Sequence, residues 1–333
     1  MTDVGLRDVA EHAGVSIGTV SNAINRPELV SNTTAARVAA AIAELGYVPN
    51  VAARQLRAGR SDAIGMSVIN ITNPFFAELA FGAEEEALAS GYSVIVGNSF
   101  DSTAREARYL ELFERQRLDG VLIAPVGDSE EHLRRFAKRG VPVVLVDYRH
   151  PNGEYSSVSL DDELGGRLAT RELVDSGCRH LAFIGGPESR AQMRERMTGF
   201  REVAAAAGAR VTVIETDTLN TGLGREIGER LARLDPADRP DGVFAGNDHL
   251  ALGLLQGLVG HGIRVPDDIA LVGYDDIEFA AAAVVPLTSV RQPASQMGAR
   301  ATQLLLDHLG GQKDPVEARF VPELAVRAST RTR

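Results

Sequence analysis

Apolar positions in the first sixty residues recur with a helical period, whereas those in the remaining chain gather into short continuous runs, and this change of pattern divides the molecule. Leu6, Val9, Ala10 and Ala13 fall at i, i+3, i+4 and i+7, one stripe of a helix, and Gly14 gives the backbone freedom to turn sharply after it. Ser16 suits the N-cap of a second helix whose apolar stripe is Val20 and Ile24. Ile17, Gly18, Thr19, Ser21 and Asn22 are then left on its outer surface. A third helix is predicted from an N-cap at Ser31 through Ala35, Val38, Ala39, Ile42 and Leu45 to Gly46, with Pro49 preventing direct continuation. A short helical segment capped by Asn50 follows at 51–57, too short to be stable alone in water. An ordinary helical hairpin shares much of this pattern, but two short helices joined by a glycine turn also make a helix-turn-helix, whose second helix enters the major groove of DNA.

From residue 61 onward, after a polar linker at 58–62, the runs are strand-like: 63–69, 93–98, 120–126, 141–147, 180–186, 211–216, 242–247 and 269–275, with helical patterns in the gaps. Such alternation predicts parallel sheets covered on both faces, with ligands at the carboxyl ends of the strands. A break at 148–160 suggests two similar halves rather than one long sheet.

The segments DVAEHAGVS (8–16), TVSNAIN (19–25), AAIAELGYVPN (40–50) and ARQLR (53–57) resemble the headpiece and hinge of the lactose-repressor and galactose-repressor (LacI/GalR) family of bacterial transcription regulators. The resemblance covers nearly the whole chain. It implies an all-α helix-turn-helix headpiece (1–49), a hinge helix and linker (50–60), and an α/β periplasmic-binding-protein-like effector domain (61–333) of two doubly wound parallel-sheet subdomains. The chain would cross between them three times, giving an N-subdomain of about 61–159 and 290–319 and a C-subdomain of about 160–289 and 320–333. The segment 287–293, with the helix after it, would return to the first subdomain, and 320–327 would finish in the second. It further implies a homodimer on double-stranded, palindromic operator DNA, with a hinge that folds only on DNA and pushes Leu56 into the minor groove as an apolar wedge. The DNA-facing set is Ser16, Ile17, Gly18, Thr19, Ser21, Asn22, Thr33, Asn50, Ala53, Arg54, Leu56 and Arg57. No C-terminal leucine-heptad segment of the kind that makes tetramers is seen, which favours the dimer.

Charge refines this picture. The chain of 333 residues carries a formal −10, the wrong sign for a protein coated in nucleic acid. Residues 1–60 hold six Arg against five acids, so phosphate binding rests on Arg54, Arg57, backbone amides and hydroxyls. One cysteine, Cys178, excludes an intramolecular disulfide and reads as a packing residue. With no apolar leader or spanning run, the protein is expected in the cytoplasm, at the nucleoid, and not in a membrane.

The chemistry lies at strand ends. A polyol needs planar donors and acceptors for adjacent hydroxyls and an apolar surface for its C–H face. Asn73, Phe75 and Phe76 follow the first strand, Asp147 the fourth, Asn247 the run at 242–247 and Asp275 the run at 269–275, while Arg190, Gln192 and Arg196 open a long helix. The family pattern implies that Phe76 or Phe75, Asp147, Arg196, Asn247 and Asp275 bind the effector; Arg190 and Gln192 join that set by their place at the start of the same helix as Arg196, with Asp248 and Asp276 secondary. Helix capping competes for Asn247 and Asp275, core packing for Phe75, and Asp161 and Asp162 read as caps of the helix they begin. His249 reads as a surface or supporting residue. The effector is expected to be a sugar or related polyol rather than a nucleoside, acting as inducer, with a purine-type corepressor as the alternative. No phosphate-binding glycine loop, nucleophile elbow or zinc-protease motif occurs, and the seven histidines show no ligand-like spacing, so no cofactor, metal or catalysis is expected. A sugar-binding protein without DNA function would share the cleft, and only the first sixty residues exclude it.

Overall fold

The computed structural model describes residues 4–47, 60–127 and 129–331. The chain forms two compact units, Met1–Ser61 and Asp62–Arg333. The expectations for Asn50, Ala53, Arg54, Leu56 and Arg57 lie outside the described residues.

In the small unit, helix α1 (Leu6–Ala13) ends at Gly14, whose φ of 61° is the left-handed turn a side chain would strain. Helix α2 (Ile17–Asn25) starts at Ser16, whose hydroxyl accepts the Thr19 backbone N–H at 3.0 Å. A 3₁₀ turn (Pro27–Leu29) leads to α3 (Asn32–Leu45), capped by Ser31 and closed by Gly46. Val9, Ala10, Ala13, Val20, Val38, Ala41 and Tyr47 form the core, flanked by Leu6, Ile24, Ile42 and Leu45. Ala39, expected in the stripe of α3, is exposed instead. Val38, Ala41, Ile42 and Leu45 already fill the inward arc, and Ala39 lies about 100° round the helix from Val38.

The large unit contains two six-stranded sheets. The first has the order β11-β5-β4-β3-β1-β2, where β1 is Ala63–Val68, β2 Ser93–Asn98, β3 Gly120–Ile123, β4 Val143–Val146, β5 Ser156–Leu160 and β11 Glu317–Phe320. The second has the order β12-β10-β9-β8-β6-β7, with β6 His180–Gly185, β7 Arg210–Glu215, β8 Gly242–Ala245, β9 Ala270–Asp275, β10 Thr288–Arg291 and β12 Glu323–Ala325. All pairs are parallel except the β10–β12 edge. The inner strands, buried along their length, are Val-, Ile- and Leu-rich as a doubly covered sheet requires.

Two departures from the sequence reading concern the crossings. The break at 148–160 carries β5, whose serine-rich face has no apolar run to announce it yet is buried throughout. Strand β10 belongs to the second sheet, so the chain crosses after it, at Gln292–Pro293, rather than before. The following helix α12 (Ala294–Leu309) then packs on α4 (Pro74–Ala89) and β4 in the first layer. The final crossing separates Phe320 in β11 from Glu323 in β12. The remaining helices are α5 (Thr103–Gln116), α6 (Glu130–Lys138), α7 (Asp162–Asp175), α8 (Ala191–Ala206), α9 (Thr221–Ala232), α10 (Asp248–Gly260) and α11 (Glu278–Ala282). Glycines let α7 and α8 touch backbone to backbone: a Cβ at Gly166 would lie 2.2 Å from the Arg196 carbonyl oxygen, and one at Gly199 would lie 2.1 Å from that of Glu163. This approach brings the start of α7 beside Arg196.

Candidate functional site

The carboxyl ends of both sheets face a common cleft of ≈ 200 Å³. Asp147 directly follows β4 with φ 54° and Asp275 ends β9 with φ 106°, conformations that side chains rarely adopt and that cluster at functional sites. All eight residues expected to bind the effector line this cleft: Phe75, Phe76, Asp147, Arg190, Gln192, Arg196, Asn247 and Asp275. Phe75 and Phe76 meet edge to face at 5.0 Å, both nearly buried, so Phe75 is a core residue and a wall of the cleft at once.

Arg196 is held in a cage. Its Nε donates to Asp162 Oδ1 at 2.7 Å, an Nη donates to the Gly246 carbonyl at 2.7 Å, and the guanidinium lies 3.5 Å over the Tyr274 ring. The Tyr274 hydroxyl donates to the same Asp162 oxygen at 2.7 Å. Asp162 is thus no helix cap: Asp161 takes that role, accepting the Leu164 N–H at 2.9 Å, and the next side chain turns inward to the arginine. Burial alone pulls the Arg196 guanidinium down, but Asp162, Tyr274, Asp275 and Asp147 outweigh it and hold the charge firmly. Asn247 caps α10 with its carbonyl oxygen, accepting the Leu250 N–H at 2.9 Å, while lining the cleft.

Asp248 and Asp276 lie outside the lining. Asp248 is consumed behind it, accepting from the Ile277 N–H (2.9 Å) and the Ser289 hydroxyl (2.7 Å); Asp276 is paired with Arg291 (2.7 Å) and Arg327 (2.6 Å). His249 does line the cleft, half-buried. Asn73, named at the end of the first strand, lines it too, and so do Phe100, Asp101, Thr218, Asn220 and Gln292, which their neighbours in sequence did not single out. They sit in loops or at a crossing, where no periodicity marks them.

Several contacts cross the cleft. Asn73 donates to Asp275 Oδ2 at 3.0 Å, Gln192 donates to the backbone oxygen and Oδ2 of Asp147, and Arg190 pairs with Asp101 at 2.9 Å. Gln292, at a crossing, donates to Asp275 Oδ1 at 2.7 Å. Among the described residues, Asp147 Oδ1 and Gln292 Oε1 are buried acceptors with no hydrogen-bond partner. Such groups are costly to leave unmade and take donors readily. Burial pushes Asp147 up to about 8, with Asp162 and Asp275 adding to it against Arg196; burial likewise pushes Asp275 up to about 6. The folded state therefore holds extra protons from the ordinary carboxylate range up to about pH 8, and stability without ligand should fall as pH rises through that window. A ligand that donates hydroxyls to the ionised forms should bind more tightly as pH rises from 6 to 8, releasing protons. Calorimetry in buffers of different ionisation enthalpy checks this, and Asp147→Asn should flatten the upper part of the profile.

The seven histidines show no ligand-like spacing along the chain, but among the described residues the fold gathers two carboxylates beside His150: Glu130 and Glu154 lie with it so that one ligand atom from each falls within 4.8 Å of the others. Glu130 is engaged there by an ion pair with Arg134 (2.8 Å) and by His150 Nε2 at 3.2 Å.

In the small unit Ile17, Gly18, Asn22 and Thr33 are exposed and Thr19 and Ser21 half-buried. The exposed Ser16 spends its hydroxyl on the helix cap and on the Thr19 hydroxyl at 2.9 Å. The outward face of α2 thus offers Asn22 as a two-way hydrogen-bonding side chain beside apolar Ile17 and the bare backbone of Gly18.

The chain matches two family models: Bacterial regulatory proteins, lacI family, over residues 5–50, and Periplasmic binding protein-like domain over residues 170–330. It is 33% identical over 334 residues to the HTH-type transcriptional repressor PurR of Photobacterium profundum, covering 98% of each chain. It is 36% identical over 307 residues to the ribose operon repressor of Escherichia coli, covering 91% of this chain and 92% of that one. Its structure is similar, with a TM-score of 0.86 and 28% identity over 99% of both chains, to that of the lac repressor dimer bound to operator and the anti-inducer ONPF.

Proposed function

The chain belongs to the LacI family of bacterial transcription regulators and is a ligand-responsive DNA-binding regulator; from that premise we propose that it represses by holding a palindromic operator as a homodimer and lets go when a small neutral carbohydrate fills the cleft. The observation that carries the carbohydrate reading is the pair of buried, partnerless acceptors, Asp147 Oδ1 and Gln292 Oε1, beside the apolar faces of Phe75 and Phe76. Hydroxyl groups supply the missing donors, and a ring's C–H face suits the phenylalanines. Both cations of the cleft are already paired, Arg196 with Asp162 and Arg190 with Asp101, which disfavours a phosphate or carboxylate ligand. We read the carboxylates as ligand acceptors and assign no reaction to them. Among the described residues no helix is long and apolar enough to cross a membrane, and we place the protein in the cytoplasm with its operator.

A ligand bridging both halves of the cleft shifts operator affinity only by its difference in affinity for the two arrangements of those halves. Thermal-shift measurements over a panel of sugars and nucleosides test the assignment, because a ligand at 100 times its dissociation constant stabilises by about 2.7 kcal/mol. The sugar so found should weaken operator binding in a titration. Stabilisation by nucleosides alone, or tighter operator binding with ligand, would replace induction by corepression.

For the dimer surface we assign two exposed apolar groups on the large unit: Phe81 and Leu88 of α4 with Ile95 and Val96 of the edge strand β2, and Val259 of α10 with Phe279 and Val284 around α11. Solvent-facing groups of this kind are ordinarily covered by a partner. Phe81→Asp and Phe279→Asp together should shift the protein to monomer in sedimentation velocity and weaken operator binding steeply, since the two half-sites are then bound independently. A variant that remains dimeric places the interface elsewhere.

A further inference from the structure

Beside the inner cleft lies a second chamber of ≈ 540 Å³, also walled from both layers of the large unit. The first layer supplies Tyr148 after β4 and the loop around His150 and Asn152; the second supplies Ser189 ahead of α8. The two chambers share Ile69, Asp101, Arg190 and Gln192. What divides them is side chain: the Arg190–Asp101 ion pair at 2.9 Å, whose members are 24% and 28% exposed, and the reach of Gln192 to Asp147. Long side chains of this kind rearrange around a ligand more cheaply than backbone does.

We propose that the outer chamber is a second sugar subsite, so that the full effector is a disaccharide with one ring among Asp147, Arg196 and Asp275 and the other against Tyr148, Asn152 and Ser189. The inference rests on the reading of the inner cleft as a polyol site. Three observations carry it. The inner cavity of ≈ 200 Å³ is smaller than the roughly 300–1,000 Å³ usual for ligand pockets, whereas the joined chambers fall inside that range. Half-buried Tyr148 and the exposed Asn152 and Ser189 bring hydroxyl and amide groups to the chamber from both of its walls, as a ring held between the two layers requires. Both arginines of the chamber are paired, Arg134 with Glu130 and Arg190 with Asp101, so a neutral ring is favoured over a phosphate. Tyr148, Pro125 and Pro151 give that ring an apolar face.

The test is calorimetry on the full chain with matched pairs: glucose against cellobiose and maltose, galactose against lactose. At least one disaccharide should bind about tenfold more tightly than its constituent monosaccharide, or ~1.4 kcal/mol. Two variants lie outside the inner cleft: Ser189→Trp, which fills the outer chamber from an exposed position, and Tyr148→Ala, which removes its platform. Each should bring the disaccharide down to the monosaccharide level while leaving the monosaccharide within about twofold. Equal binding of both sizes, or variants that move both alike, overturns the subsite while the polyol reading stands. Binding of neither size overturns the polyol reading and the subsite with it.

Discussion

Removal of residues 1–61 should abolish sequence-specific operator binding while leaving the ligand response of the large unit intact. The small unit has its own core, centred on Val9, Val20 and Val38, and presents the outward face of α2; the large unit has separate cores beneath each sheet. Deleting the first therefore takes away all base reading without opening the second. Specific operator complexes are typically 10³–10⁷ tighter than non-specific ones, and this acidic remainder should lose even the non-specific component. Anisotropy titration with labelled operator, alongside thermal shift with the effector, measures both halves of the statement. Retained specific binding would count against the assignment of α2, and lost ligand stabilisation against the independence of the large unit.

Arg196→Ala should be the most damaging single substitution in the cleft. The side chain is 4% exposed and neutralises Asp162, which is itself buried, while stacking on Tyr274. Removing one member of a buried pair leaves an uncompensated charge, at roughly 3–5 kcal/mol. Denaturant unfolding should show that loss, and operator titration should show no effector response. A double substitution separates stability from function: Arg196→Leu with Asp162→Leu removes both charges, so much of the stability should return while effector binding does not. A fully stable single variant would mean that the cage around Arg196 is not formed in solution.

The two behaviours trace to different kinds of information. The helix-turn-helix was legible because everything that makes it is local. Ser16 and Ser31 cap the helices they precede, Gly14 and Gly46 turn the ends, and within each helix the inward positions fall three or four residues apart, Val9 with Ala13, Val20 with Ile24, and Val38 with Ala41 and Leu45. That the eight residues share one cleft was legible as well, because a parallel sheet with covering helices brings its carboxyl strand ends and the helix starts that follow them to one side whatever the details of packing. The hidden strand β5 was not, since its serines carry no apolar run and only the neighbouring β4 and β11 make it a strand.

Sequence by itself determined the period and caps of the headpiece helices, the order of the eight apolar strands along the chain, and the residue types at the strand ends, all of which depend on interactions within a few residues. Tertiary structure alone decided who meets whom. Asn73 reaches Asp275 across 202 residues, Arg196 finds Asp162 because Gly166 and Gly199 let two helices touch, and Asp248 and Asp276 turn away to partners behind the cleft while their neighbours Asn247 and Asp275 face it. The physical reason is that adjacent residues at a strand end point in opposite directions, and which one faces the cleft depends on the turn of a backbone held from the other side of the molecule.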